Sequence, residues 1–406
     1  MKKTALYILM GLLCSCAPKT DSVLKKGNWL FAFQIDEQNP DQKIPFNVEV
    51  LNEKHLLVTN ADEQIDVQEI TYKGDSVFIK MPVFGSEFKG KISGDKISGE
   101  YFNYNKSKVL PIPFEAEYGI NDRFEITDEN ATVFSGKWKV NFGEEENGNP
   151  AIGIFEQDGN HITGTFQTET GDYRYLEGIV NKNTMQLSCF DGAHVFMFTA
   201  ELSDSTLKGL FYSGNSYKTK WSAIKTTDAE LADMKTLTYL NPGYDKLSFA
   251  FPNENGDTIS LADEKYKGKA VIVQIFGTWC PNCMDETRFL AEVYEKYNAA
   301  GLEIIGLDFE IKPDFDYFQQ RIERYRNDLN VSWELVLAGT SNKKKAAEAL
   351  PMLNKIISYP TAIYIDKKGE IREIHTGFSG PGTGVAYEQY KTETEELIET
   401  LLNETI

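Results

Sequence analysis

Two cysteines, Cys280 and Cys283, follow an apolar run at residues 270–276 and precede a segment with helical periodicity. The run is rich in β-branched residues, which favours a strand buried on both faces of a sheet. Cys280 is therefore predicted at a helix N-terminus, where unpaired N–H groups and the helix dipole favour a thiolate over a thiol. Because the thiolate is the attacking species, the spacing predicts disulfide exchange, with Cys280 as nucleophile and Cys283 as resolving thiol.

Half of a structural zinc site is the alternative interpretation of a C-x-x-C pair, but that site needs two further ligands. The sequence has no second C-x-x-C pair, and its four histidines are scattered. A redox pair is therefore favoured over a metal site. We expect no cofactor besides a redox-active disulfide between Cys280 and Cys283. Pro281 fits the first helical turn, where a missing N–H carries no cost.

Two segments together indicate a family. Residues 277–283, Gly-Thr-Trp-Cys-Pro-Asn-Cys, resemble the active-site segment of the thioredoxin superfamily, and most closely its TlpA/ResA-like thiol-disulfide oxidoreductases. Residues 358–361, Ser-Tyr-Pro-Thr, are similar to the cis-proline loop that faces the cysteine pair in that superfamily. The resemblance implies a cis Pro360, and a Tyr359 backbone that pairs with an extended substrate segment. It implies substrate contacts from Trp279, Pro281, Tyr359 and Pro360.

The chain departs from plain thioredoxins in its proton acceptor. Those proteins carry a buried acid six residues before the first cysteine, where this chain has Gln274. ResA-like proteins use a glutamate just after the next strand, and Glu310 matches that place. A partly desolvated carboxylate has a raised pKa and can exchange a proton with Cys283. A solvated carboxylate at a strand end is the alternative interpretation of Glu310. Asp308 is the second candidate for the proton exchange with Cys283.

The length and composition of the chain indicate its domain number and argue against some classes of binding partner. A length of 406 residues predicts two or three domains. The net charge of −19 argues against nucleic-acid binding and against attachment to anionic lipid through a basic patch. An apolar content of 41% with 12% aromatic residues is typical of a globular protein.

The N-terminus predicts export. Two lysines precede an apolar run at residues 5–13 that is too short to span a bilayer. The next residues, Leu-Cys-Ser-Cys, resemble a bacterial lipobox with Cys16 as the lipidated residue. A plain secretory signal is the alternative. We predict a signal peptide at 1–15, a tether at 16–26, and a lipid anchor in the cell envelope that faces the periplasm, on either the inner or the outer membrane.

Residues 27–225 contain short alternating runs separated by Gly, Asn and Asp, which predicts antiparallel strands and hairpins. Internal similarities, such as Gly-x-Trp at both 27–29 and 136–138, predict a duplicated β unit. We expect repeats at 27–120 and 133–225, as two barrels or sandwiches or one fused body. The aromatic residues are interpreted as core filling rather than a cavity lining, and Cys189 as a buried core residue rather than a third redox thiol.

The remaining chain predicts a linker at 226–246, with one or two helical turns at 228–237, and a final domain at 247–406. In that domain an entry hairpin precedes strands that alternate with helices, and a closing hairpin and helix follow. This order fits a thioredoxin-like α/β fold with a central sheet flanked by helices.

These features predict an envelope thiol-disulfide oxidoreductase that reduces protein disulfides through its C-x-x-C dithiol. The expected partners are protein disulfide or dithiol substrates, a membrane thiol electron donor, and the membrane itself through the lipid anchor. A disulfide oxidase or isomerase is the rival within the same class, because the dipeptide between the cysteines does not fix the reduction potential. A lipid-anchored binding protein that uses its β-rich half is the rival from a different class.

Overall fold

The computed structural model describes residues 22–405, except residues 37, 40, 41, 107, 144–147 and 313. Two all-β units precede a thioredoxin-like α/β domain, so the predicted fold class is confirmed. The predicted signal peptide and Cys16 lie outside the described residues. Within the described ranges, no helix combines the length and the apolar character needed to cross a bilayer.

The first β unit is a nine-stranded antiparallel sheet with the order β4-β3-β2-β1-β9-β8-β7-β6-β5. Its strands are β1 Gly27–Gln34, β2 Lys43–Asn52, β3 His55–Asn60, β4 Glu63–Val67, β5 Glu69–Lys73, β6 Ser76–Lys80, β7 Ser86–Ser93, β8 Lys96–Asn103 and β9 Ile112–Tyr118. Alternate residues of β1, namely Trp29, Phe31 and Phe33, are buried, as the period of two along a strand requires. These aromatic rings fill the core of the unit.

The second β unit is a closed barrel. Its strands are β10 Gly136–Phe142, β11 Asn149–Asp158, β12 His161–Thr168, β13 Gly171–Asp172, β14 Leu176–Asn181, β15 Thr184–Phe190, β16 Val195–Ser203, β17 Thr206–Ser213 and β18 Tyr217–Lys225. The sheet order is β11-β10-β18-β17-β16-β15-β14-β12-β13, and the further pairing of β11 with β12 closes a ring of eight strands. We call this unit the second barrel.

The two β units repeat the same local structure. The indole N–H of Trp29 donates to the Lys25 carbonyl at 2.9 Å, and that of Trp138 donates to the Phe134 carbonyl at 2.7 Å. Each unit has its own core, but Phe190 of the second barrel packs in the core of the first. Its ring centroid lies 4.6 Å from that of Phe46. The two β units are therefore joined through shared apolar contacts.

The thioredoxin-like domain begins with a hairpin of β19 Ala250–Pro252 and β20 Thr258–Ser260. Its main sheet contains β21 Ala270–Phe276, β22 Leu302–Glu310, β23 Glu334–Thr340, β24 Thr361–Ile365 and β25 Ile371–Thr376, and its helices are α1 Pro281–Tyr297, α2 Phe315–Leu329, α3 Lys343–Ala349 and α4 Val385–Asn403. The sheet order is β23-β22-β21-β24-β25. The first three strands run parallel, and β24 and β25 complete the sheet antiparallel.

The predicted helical turns at 228–237 are wrong, because that segment contains no helix. The segment makes a single internal backbone bond, from Thr236 N to the Asp233 carbonyl at 3.0 Å, and also bonds to distant parts of the thioredoxin-like domain. Thr376 N donates to the Met234 carbonyl at 3.0 Å, and just beyond the segment Asn354 N donates to the Tyr239 carbonyl at 2.9 Å. Long-range pairing thus satisfies the Met234 carbonyl, which a short helix would have bonded internally.

Candidate active site

The two cysteines lie where β21 passes into α1. All seven residues of β21 are buried, and Cys280 is the N-cap residue of α1. Cys280 and Cys283 form a disulfide with Cα atoms 5.2 Å apart. The Cys283 backbone N–H donates to Cys280 Sγ at 3.2 Å, so a helix N–H group points at the proposed nucleophile. Cys280 is 5% exposed and Cys283 is fully buried, so Cys280 is the sulfur that a substrate can reach.

The proline loop faces the cysteine pair, as the resemblance implies. The Tyr359–Pro360 peptide bond is cis. Cys280 Sγ lies 3.4 Å from the Tyr359 carbonyl oxygen, and the Trp279 ring meets the Tyr359 ring edge-on at 5.4 Å between centroids. The Trp279 indole N–H donates to the Phe309 carbonyl at 2.9 Å. The structure thus brings Trp279, Pro281, Tyr359 and Pro360 together around Cys280, while their contacts with substrate stay a prediction.

Glu310 is fully buried, so the alternative of a solvated carboxylate is wrong. Its carboxylate accepts hydrogen bonds from the Thr278 hydroxyl, from Thr278 N at 3.3 Å and from Ile311 N at 3.2 Å. Arg321 Nε donates to the same Thr278 hydroxyl at 3.0 Å. Thr278 is only two residues before Cys280, so this buried network lies directly beside the active-site segment.

Asp308 is a second buried carboxyl group on the same strand. Burial, and then the negative charge of Glu310, raise the pKa of Asp308 well above its ordinary value. Both causes disfavour the charged form of Asp308. Two buried carboxyl groups thus lie on the strand next to the cysteine segment.

The sequence analysis missed a third carboxyl group, that of Glu286. It is fully buried on α1, three residues after Cys283 and hence on the same helix face. Gln274 Nε2 donates to its carboxyl at 2.8 Å, and the Tyr390 hydroxyl donates at 3.3 Å. Burial raises the pKa of Glu286 to about 7. The acid that is absent at position 274 is thus present on the neighbouring helix, and its spacing from Cys283 is the signal that could have identified it.

We expect Glu286→Gln to flatten the pH dependence of stability. Unfolding returns the pKa of this carboxyl from about 7 to an ordinary value near 4.5. Its contribution is therefore complete below pH 4.5 and is lost as the pH rises to 7, by about 3 kcal/mol in total. The glutamine has the shape of the protonated acid, so the variant should lose less stability between pH 5 and pH 8 in urea titrations. Equal losses in the variant and the wild type would contradict this, and the exposed Glu292→Gln on the same helix is the control.

A segment of the second barrel covers one side of the dithiol. We call residues 168–172 the covering segment. The Asn282 side-chain amide donates to the Asp172 carbonyl at 3.2 Å, and the Ser358 hydroxyl donates to the Thr170 carbonyl at 2.6 Å. Gly380 N donates to the Asp172 carboxylate at 2.6 Å. These bonds attach the covering segment to both the active-site helix and the proline loop, and nothing in the sequence pattern indicated them.

A buried arginine joins all three parts of the molecule. Arg174 is 1% exposed and forms ion pairs with Glu63 of the first unit, Asp191 of the second barrel and Asp285 of α1. It also donates to the Pro281 carbonyl at 3.2 Å. Burial alone would lower its pKa, but the three carboxylates raise it well above its ordinary value. This cluster, which we call the Arg174 cluster, fixes the first turn of α1 against both β units.

Two further alternatives from the sequence are a third redox thiol at Cys189 and a metal site at the cysteine pair. Cys189 is unpaired and buried in the second barrel, where burial raises the pKa of its thiol well above the ordinary value. Its interpretation as a core residue is therefore confirmed. In the part of the chain that the structure describes, no group of three or more His, Cys, Asp or Glu side chains is arranged to hold a metal ion.

Comparison with known proteins gives the same picture for the C-terminal domain. Residues 242–374 match the model of the AhpC/TSA family. The thiol-disulfide oxidoreductase ResA of Halalkalibacterium halodurans is 29% identical over 135 residues, which are 33% of this chain and 68% of that protein. ResA of Bacillus subtilis is 25% identical over 138 residues, which are 34% of this chain and 69% of that protein. The C-terminal domain is a TlpA/ResA-like member of the thioredoxin superfamily. It is a thiol-disulfide oxidoreductase domain, and the cysteine pair described above lies within the matched residues.

Solved structures resemble the same part of the chain. A thiol:disulfide interchange protein of the thioredoxin family from Chlorobium tepidum aligns with a TM-score of 0.31 and 20% identity, over 39% of this chain and 96% of its own. A thiol-disulfide oxidoreductase from Bacteroides fragilis aligns with a TM-score of 0.28 and 18% identity, over 36% of this chain and 99% of its own.

Proposed function

We propose that this chain is an exported, lipid-anchored reductase of protein disulfides. One observation carries the proposal: Cys280 is the N-cap of α1, receives the Cys283 N–H, and faces the cis-proline loop. Placement at a helix N-terminus lowers the pKa of a cysteine thiol, and the thiolate is the form that attacks a disulfide. The ResA proteins that match this domain are named thiol-disulfide oxidoreductases, which supports the reaction class.

The proposed reaction has two exchange steps. In the first, the Cys280 thiolate attacks one sulfur of the substrate disulfide, forms a mixed disulfide and releases the other substrate sulfur as a thiolate. In the second, the Cys283 thiolate attacks Cys280 Sγ, closes the protein disulfide and releases the second substrate sulfur. The substrate gains two electrons and two protons, and the protein loses them. A membrane-bound thiol donor then restores the dithiol by the same exchange in reverse.

Proton transfer to and from Cys283 is the role that we propose for the buried carboxyl groups. Cys283 is fully buried, so water cannot readily take its proton. Glu310 and Asp308 form a buried pair near the active-site segment, and Glu286 lies on the Cys283 face of α1. A carboxyl group whose pKa lies near 7 is well matched to a proton exchange at neutral pH. We assign this role to Glu310 with Asp308 and to Glu286.

We propose that Cys16 carries the lipid and that the domain works in the cell envelope. The lipobox-like residues before Cys16 are the support for this location. The same location supplies the proposed donor, because a membrane thiol carrier can meet a protein that is tethered to the membrane. The acidic net charge of −19 gives no basis for attachment through a basic patch.

Equilibration with glutathione tests the direction of electron flow. We expect a reduction potential near that of thioredoxin, about −270 mV, because a reductant must hold its disulfide form stably against its substrates. The ratio of dithiol to disulfide protein is measured at fixed glutathione ratios by alkylation and mass spectrometry. A value near about −120 mV would contradict the proposal and identify an oxidase instead.

A further inference from the structure

Cys280 opens into a cavity that the active site shares with the second barrel. The cavity has a volume of about 620 Å³, which is within the usual range for ligand pockets. One wall is formed by residues of the active site, among them Trp279, Cys280, Pro281 and Tyr359. The opposite wall comes from strand ends at one end of the barrel, where β10, β12 and β17 finish and β11, β16 and β18 begin.

Aromatic rings line the barrel side of this cavity. The rings come from Phe142, Tyr173, Phe196, Phe211 and Tyr217, and they share this wall with polar side chains, among them Asn149, Glu169, His194 and Thr219. Tyr217 is 53% exposed at the rim, and its ring centroid lies 6.0 Å from that of Phe211. Inserting an aromatic or large aliphatic side chain among such rings removes apolar surface from water. This strengthens the binding of a substrate by roughly tenfold to a hundredfold. A strongly polar guest would gain no such stabilisation.

The covering segment restricts what can approach Cys280. It is attached on one side to Asn282 and on the other to Ser358. A residue with a side chain at Gly171 would collide with Asn282, so the two surfaces are in close contact. A flat folded surface therefore cannot dock over the dithiol from this side. An extended segment that enters the cavity can reach the 5% of Cys280 that is exposed.

We propose that this end of the second barrel is a specificity site, which binds an aromatic or large aliphatic side chain adjacent to the cysteine of an extended substrate segment. The inference rests on the proposed function and names its substrate class: unfolded or loop segments in which an apolar residue neighbours a disulfide. The barrel thereby does more than hold the dithiol away from the membrane. It supplies the wall that distinguishes one disulfide from another.

Two model peptides test the site. Both are unstructured, contain one intramolecular disulfide, and differ only in the residue before the first cysteine, which is phenylalanine or serine. The reduced full-length protein is mixed with each peptide, so that one protein dithiol becomes a disulfide and one peptide disulfide becomes a dithiol. We expect the second-order rate constant of this single-turnover exchange to be at least about tenfold higher for the phenylalanine peptide. A ratio near one in the wild type would overturn the inference.

The variant Tyr217→Ser removes a ring from the rim of the cavity. We expect it to lower the phenylalanine-to-serine ratio by at least about threefold, because part of the apolar contact is lost. Tyr239→Ser is the matched control, since Tyr239 is similarly exposed at 56% and lies outside the cavity. It should keep the wild-type ratio. An unchanged ratio in Tyr217→Ser would also overturn the inference.

The proposed function and this inference fail in different ways. A small aromatic disulfide such as dithiobis(nitrobenzoate) measures the exchange reaction without a peptide. If the wild type reduces neither this compound nor the peptides, the proposed function itself is contradicted. If it reduces the compound and both peptides at equal efficiency, the reductase stands and only the specificity site is rejected.

Discussion

Replacing Cys280 by serine is expected to lower disulfide reduction by at least about a thousandfold, because a hydroxyl at that position cannot replace the attacking thiolate. Cys280 is the only described sulfur that lies at a helix N-terminus, faces the cis-proline loop and opens into a cavity. Serine is nearly the same shape, and its hydroxyl can still cap α1. The fold should therefore survive, and the loss should be confined to the chemistry. Insulin reduction, followed by turbidity, measures the rate.

The control for this prediction is Cys189→Ala. Cys189 is buried in the second barrel and has no proposed part in the reaction. We expect the alanine variant to keep the wild-type rate, although it removes a sulfur from the core. If Cys280→Ser kept more than a tenth of the activity while Cys283→Ser lost it all, the assignment of nucleophile and resolving thiol would be reversed.

Replacing Arg174 by methionine is expected to give the largest loss of stability. The change removes the buried cation shared by the carboxylates of Glu63, Asp191 and Asp285. Asp285 keeps its pair with Arg288, and Asp191 keeps its contact with His194, so Glu63 is the carboxylate that loses its cation outright. Removing one partner of a buried ion pair destabilises by about 3–5 kcal/mol. Methionine keeps much of the volume, so the effect reports the charge rather than a cavity. Urea unfolding followed by tryptophan fluorescence measures it, with the earliest transition as the readout, because a chain of several domains need not unfold in two states.

The location of increased amide hydrogen exchange shows whether the Arg174 cluster holds the active-site region in particular or stabilises the whole fold. We expect amide hydrogen exchange in Arg174→Met to increase in the covering segment and in the first turn of α1, which the Arg174 cluster fixes. Arg372→Met is the matched control, since Arg372 is itself 38% exposed and pairs with the partly exposed Glu404 and with Asp366. Surface pairs contribute at most about 1 kcal/mol. Equal losses in the two variants would refute the role of the Arg174 cluster.

The local parts of the site could be predicted from the sequence because they are encoded locally. A β-branched run followed by Cys-Pro-Asn-Cys and a helical pattern places Cys280 at an N-cap without reference to the rest of the chain. The Gly-x-Trp repeats likewise marked two strands that carry the same tryptophan hydrogen bond in each β unit. In both cases, propensity and periodicity agree with the final structure, so short windows were sufficient.

The remaining parts depend on contacts between residues far apart in the chain. Arg174 precedes Asp285 by 111 positions, and neither residue has a neighbour that marks it as buried. The covering segment has an ordinary turn composition, Thr-Glu-Thr-Gly-Asp, and gains its role only by packing on the proline loop. Glu286 was missed for a different reason: its spacing from Cys283 was readable, but a glutamate on a helix is usually solvated. The interpretation of the barrel aromatics as core filling holds for most rings. The rings at one end of the barrel also line the cavity that faces Cys280.

The rate of Cys280 alkylation as a function of pH tests the central claim most directly, namely that the N-terminus of α1 makes this sulfur acidic. The measurement uses the reduced Cys283→Ser variant with iodoacetamide, and peptide mass spectrometry identifies the labelled residue. We predict a midpoint below about pH 7, in the range of helix N-terminal cysteines. A midpoint near about pH 8.5, the value of a free cysteine, would contradict the account.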